Sequence, residues 1–301
     1  MPKVIKRYEK NHFARRPLTD INVNSDEVIG RIHVFAHASF DCLTRALCSA
    51  NSASDPPRKR DCSLYTGPLP IIFAITRLKR ELPEFADAPI PEIDRPHKDL
   101  FNPAKIGFCS NHCFLQMYEC LVTGEPYELD AAVYNRKSVP CELLYGRAGL
   151  GFMIDYFKKK GMRCTRDDLI SDILSDIDMH DFPWSWHGKE YFGAAHGTAG
   201  ILLALKRLNG YASADIFEEL IKQSFISSSG NFKSSSGSSR DELVQWCHGA
   251  PGFVSLILEY ADVCPEICSQ HLESALETIW QRGLLTKGSG ICHGIAGDKI
   301  K

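Results

Sequence analysis

Two glycines three residues apart, standing directly before an apolar segment of helical spacing, recur through this chain as Gly146/Gly149, Gly197/Gly200, Gly249/Gly252 and Gly294/Gly297. The leading glycines at 146, 197, 249 and 294 are separated by 51, 52 and 45 residues. Each interval has room for an outgoing helix, a connection and a returning helix, which is one helical hairpin per repeat. Two degenerate copies precede them, Tyr65-Thr66-Gly67-Pro68-Leu69-Pro70 and Ile106-Gly107-Phe108-Cys109, and bring the number of units to six. Glycine at such points serves a tight turn, a positive φ, or close approach of one backbone to another where helix ends crowd together. The repeat therefore predicts an all-α array in one domain, 1–301, with toroidal repeats over about 61–301 and a less regular N-terminal helical region over 1–60.

The rest of the composition narrows the reading without redirecting it. With 44% hydrophobic residues and 24% charged ones, 301 residues supply an ordinary globular core. A net charge of -2 gives no general reason to bind nucleic acid, and the basic run Arg58-Lys59-Arg60 reads as solvated surface. The polar stretches 51–60 and 227–240 read as loops. The charged amino terminus lacks the apolar stretch of a secretion signal, and no segment approaches the roughly 20 apolar residues that cross a bilayer. The expectation is a cytoplasmic protein whose 12 cysteines are reduced, with Cys109/Cys113 and Cys264/Cys268 as buried small residues.

Chemistry concentrates in the last two repeats, which open with Cys247-His248-Gly249 and Cys292-His293-Gly294. Cys247 and Cys292 occupy matching positions, so an array that converges its turns brings them together despite 45 intervening residues, with His293 adjacent. Thiolate and imidazole are preferred zinc ligands, and three protein ligands with one open position is the usual catalytic arrangement. His248 is a further donor, either a fourth ligand in a closed site or a hydrogen-bonding group outside the ligand set.

The segments Gly193-Ala194-Ala195-His196-Gly197-Thr198-Ala199-Gly200, Trp246-Cys247-His248-Gly249-Ala250-Pro251-Gly252 and Ile291-Cys292-His293-Gly294-Ile295-Ala296-Gly297 resemble the eukaryotic lanthionine synthetase C-like proteins. The likeness runs from about Gly67 to Gly297. It implies an α/α toroid, a double ring of helical hairpins, and assigns one zinc ion to Cys247, Cys292 and His293 rather than to His248. The activity implied is addition of glutathione to dehydroalanine or dehydrobutyrine residues of proteins or peptides, with His196 as general acid and Lys287 as a glutathione contact. Glu142 and Arg147, beside the Gly146 turn, could orient the site or serve as charged helix caps. The resemblance also implies that the family pattern continues past Lys301 through another helix and a seventh hairpin, so the expected ring is incomplete here. The contrasting reading is a noncatalytic zinc- or glutathione-binding scaffold, or inactive isoform, contacting signalling proteins or lying peripherally at the plasma membrane. A glycosidase toroid ranks last, because the central turns carry cysteine and histidine rather than paired acids.

Overall fold

The computed structural model describes residues 111–177, 182–287, 290 and 292–294, together with shorter stretches between 72 and 109. The N-terminal region 1–60, the Gly67 unit and Gly297 lie outside the described residues.

The described chain is helical. The helices are α1 (Asn111–Thr123), α2 (Ala131–Tyr134), α3 (Arg147–Lys159), α4 (Leu169–Ser175), α5 (Thr198–Asn209), α6 (Ala214–Ser224), α7 (Ala250–Glu259) and α8 (Pro265–Arg282). Helices α1, α3, α5 and α7 each follow a repeat turn and pack side by side; α4, α6 and α8 return on the outside, with α4 wedged against both α3 and α5. Inner and outer layers read differently in sequence for that reason. In α5 every residue from Thr198 to Leu205 is buried, because neighbours enclose the helix all round. In α6 only Phe217, Leu220, Ile221 and Ser224 are buried, a single stripe facing inward.

Local signals set the ends. Ser213 Oγ caps α6 by accepting from Ile216 N, Asp130 caps α2 through Ala132 N, and Gly210 closes α5 with φ 70°. Caps of this kind are worth about 1 kcal/mol each. A buried Leu or Phe is worth roughly 1.5–3 kcal/mol. Packing therefore dominates, chiefly in the cluster around Leu202, Phe217, Phe253, Leu256 and Tyr260. Arg207 with Glu259 and Lys206 with Asp262, each pair at 2.8 Å, tie α5 to the α7 end of the neighbouring unit.

The paired glycines are explained by close approach. A Cβ on Gly197 would stand 2.4 Å from the Tyr191 carbonyl oxygen, and one on Gly200 would stand 2.0 Å from that of Ala194. The same six-residue relation joins Gly146 to Pro140, Gly149 to Leu143, Gly249 to Leu243 and Gly252 to Trp246. Each turn folds back on its own helix start, where Thr198 N donates to Tyr191 O and Ala199 N to Phe192 O, satisfying donors that a helix start leaves open. Positive φ, the other expected use, occurs among these six glycines only at Gly249 (108°), where Asn231 Oδ1 replaces the upstream carbonyl as acceptor for Ala250 N.

The turns are also stitched to one another. Cys109 N donates to Leu144 O, Leu144 N to Ala195 O, Ala195 N to Cys247 O, and Cys247 N to Cys292 O. This inter-turn ladder lines up positions 109, 144, 195, 247 and 292 along one wall. The polar stretch 227–240, expected to be loop throughout, contains half of a short antiparallel hairpin, β1 (Phe225–Ile226) with β2 (Asn231–Phe232). Gly230 at φ 72° makes the reversal, and Phe232 stacks on Phe253 at 4.0 Å, which draws the segment inward. Among the described residues no helix is long and apolar enough to cross a membrane.

Candidate functional site

The ladder delivers Cys247, Cys292 and His293 to one point. Their donor atoms all lie within 4.8 Å of one another, with both cysteines buried. Leu144 shares a small buried cluster with both cysteines, and Trp246 packs against it. A hydrogen bond with Cys292, reinforced by burial, pushes the Cys247 thiol far above its ordinary pKa, while the Lys287 ammonium works in the opposite direction. Lys287 is thus close enough to act on the sulfur, and it is itself exposed. The nine described cysteines are thiols, and neither Cys109/Cys113 nor Cys264/Cys268 joins this group. Burial raises the Cys264 and Cys268 thiols, which agrees with their reading as small core residues.

His248 stands outside the donor group. Burial and the charges of His196, Lys189 and His293 lower its pKa to about 4, so it is a neutral imidazole at neutral pH. Its Nδ1 has no protein partner, and its backbone N–H and carbonyl are both paired with Gln245.

One ladder step away, His196 follows Ala195. Its Nδ1 donates to Glu142 Oε2 at 2.7 Å, and the Glu142 carboxylate also accepts from Leu144 N at 3.0 Å and Tyr145 N at 2.6 Å. The carboxylate is 2% exposed and held by its own turn, so it fixes the imidazole rather than following it. Trp186 covers the His196 ring, 4.0 Å between centroids and 3° from parallel. A two-residue reversal at His187 (φ 51°) and Gly188 (φ 71°), closed by Trp186 N to Lys189 O at 3.0 Å, presents the indole. The Trp186 contact was not legible in the repeat motifs; the nearest signal was His187-Gly188 between aromatic and polar residues. Arg147 serves the frame and not the thiols. Its guanidinium donates to Val139 O at 2.6 Å and Arg136 O at 3.0 Å, with Asp176 at 3.7 Å.

The arrangement defines a class: a double-layered α/α array whose inner turns converge on two thiols and an imidazole, flanked by a carboxylate-oriented histidine. The sequence model of the lanthionine synthetase C-like protein family matches residues 95–299, and the chain belongs to that family, whose fold is the α/α toroid. It is similar to a Danio rerio protein named glutathione S-transferase LANCL1, 35% identical over 192 residues that make up 56% of this chain and 47% of the relative. It is also similar to the LanC-like protein GCL1 of Arabidopsis thaliana, 32% identical over 176 residues, 52% of this chain and 40% of that protein. The matched region thus spans less than half the length of either relative.

Proposed function

We propose that this chain carries a zinc-dependent thiol-addition centre that joins glutathione to dehydroalanine or dehydrobutyrine residues in proteins or peptides. The observation that carries the reading is the Glu142-oriented His196 one ladder step from the Cys247, Cys292 and His293 donors. The donors fit the metal. Zinc–sulfur bonds of about 2.3 Å and zinc–nitrogen bonds of about 2.0–2.1 Å set tetrahedral ligands roughly 3.5–3.8 Å apart, so a group within 4.8 Å needs only small side-chain movements to close. Two thiolates and one imidazole also form a soft set that favours zinc over calcium or magnesium.

When bound, zinc supplies the positive charge that keeps an incoming thiol ionised at neutral pH. Cys247, Cys292 and His293 are the residues that would hold the ion, and three protein ligands would leave room for that thiol. Lys287, exposed beside the cluster, offers an ammonium to a glutathione carboxylate. As the sulfur–carbon bond forms at the β-carbon, negative charge passes to the α-carbon and its carbonyl. His196 in its imidazolium form delivers the proton that completes the addition. Glu142 accepts from Nδ1 and keeps that proton in place, and so leaves the Nε2 proton as the transferable one. Trp186, face to face with the ring, restrains it further. The name of the Danio rerio relative supports glutathione as the thiol.

The test combines two measurements on the purified chain: metal content, and mass-spectrometric detection of a glutathione adduct on a dehydroalanine peptide. One zinc per chain with adduct formed at a rate above the uncatalysed reaction supports the reading. Stoichiometric zinc without adduct, even at high protein concentration, transfers the chain to the scaffold reading.

A further inference from the structure

The position two residues before each ladder residue is glycine in three turns, Gly107, Gly193 and Gly290, but Glu142 and Gln245 in the other two. A Cβ on Gly193 would meet the Cys247 carbonyl oxygen at 2.2 Å, and one on Gly107 that of Leu143 at 2.8 Å. At those two turns, then, the residue must be small for one turn to close on the next. Glu142 and Gln245 instead carry side chains that reach polar atoms of the site. Glu142 serves His196. Gln245, buried to 4% exposure, has its side-chain amide 3.5 Å from Cys247 Sγ. Its backbone is clamped from both directions, Gln245 N donating to His248 O at 2.9 Å and His248 N to Gln245 O at 3.1 Å.

In the thiol state the single S–H of Cys247 is shared between Gln245 Oε1, at 3.5 Å, and Cys292. As a metal ligand Cys247 has lost that proton, and an accepting oxygen no longer suits it. A half-turn of the terminal amide exchanges oxygen for NH2 and supplies a donor.

This matters because thiol addition leaves more than one ionised sulfur beside one electron-poor alkene: the incoming thiol and the cysteine ligands. If Cys247 were to attack, its sulfur would bond to the β-carbon, a proton would pass to the α-carbon, and a neutral thioether would stand where a ligand had been. A hydrogen bond drawing electron density from the Cys247 sulfur disfavours that outcome. We infer that Gln245 is a selectivity residue whose amide N–H donates to the ionised Cys247 sulfur and holds that cysteine as a spectator to the addition. The inference rests on the thiol-addition reading above.

The experiment uses the full chain loaded with Co(II), as wild type, Gln245→Leu and Gln245→Glu. Its readouts are the sulfur-to-cobalt charge-transfer band and the rates of alkylation of Cys247 and Cys292 by N-ethylmaleimide, mapped by mass spectrometry. In both variants the band is expected to move to lower energy and Cys247 to react faster by about tenfold, the scale on which groups supporting metal ligands act. Cys292 is expected to keep its wild-type rate. An unmoved band with unchanged Cys247 reactivity in both variants overturns the inference, as does equal acceleration of Cys292, which signals general loosening. Absence of a charge-transfer band in the wild type overturns the metal reading itself, an outcome distinct from failure of Gln245 alone. Gln245→Glu preserves length and polarity, so the question survives if the leucine variant does not fold.

Discussion

Glu142 and His196, 54 residues apart, meet through a 2.7 Å hydrogen bond between a carboxylate 2% exposed and an imidazole 16% exposed. Neither residue has a neighbour in sequence that announces the other. The contact exists because successive turns of the array stack, so that the polar side chain of one turn becomes the support of the next.

Replacing Glu142 with glutamine removes the charge but keeps an acceptor. Adduct formation is expected to fall about a hundredfold, the lower bound for loss of general acid catalysis, with KM for glutathione nearly unchanged. The same change weakens the two backbone bonds that the carboxylate accepts, for a stability loss of about 1–3 kcal/mol read from urea unfolding. A rate equal to wild type would remove Glu142 from the mechanism.

His293 and His248 are distinguished by metal content. His293→Ala is expected to lose stoichiometric zinc, as is Cys292→Ala, whereas His248→Asn is expected to retain it, because only His293 belongs to the converging donor group. Metal analysis of the three variants beside wild type checks this. Zinc loss confined to His248→Asn would reverse the assignment.

Two glycine substitutions separate steric contact from backbone conformation. Gly200→Ala sets a methyl 2.0 Å from the Ala194 carbonyl oxygen and is expected to cost upwards of about 4 kcal/mol or to prevent folding. Gly210→Ala meets open space at φ 70° and is expected to cost about 1–2 kcal/mol. Denaturant midpoints report both.

His248 predicts the direction of an acid response. Its folded pKa is about 4 and its unfolded value about 6.5. Between those values the unfolded chain takes up a proton that the folded chain refuses, so stability is complete above about pH 6.5 and declines as pH falls toward 4. The contribution is at most about 3 kcal/mol. Urea midpoints measured across this range are expected to fall less steeply for His248→Asn than for wild type.

The sequence made much of this legible. Recurrent glycine pairs located the turns, and matching Cys-His dipeptides in successive turns required their cysteines to converge. Other features had no local signature. Glu142 was visible as a charge near a turn, but what it does depends on which turn stacks beside it, a fact held in the ladder and not in the motif. Gln245 and Trp186 escaped because each acts on a neighbour through its side-chain terminus, without a spacing that marks it. The β1–β2 hairpin was hidden because its first strand follows directly from the last residue of α6, and because serine-rich composition masks the pull of Phe225 and Phe232 toward the core. Arg147 reads from its position as either an orienting group or a charged helix cap; its guanidinium, buried against two carbonyls, is a strut of the frame.

The inter-turn ladder is built from main-chain groups, so it is indifferent to the side chains mounted on it. Leu144-Tyr145 and Ala195-His196 occupy the same berths as Cys247-His248 and Cys292-His293. A ring of this kind works as a rack of interchangeable stations, on which chemistry can be added, lost or shifted from one station to the next while the frame that holds it remains the same.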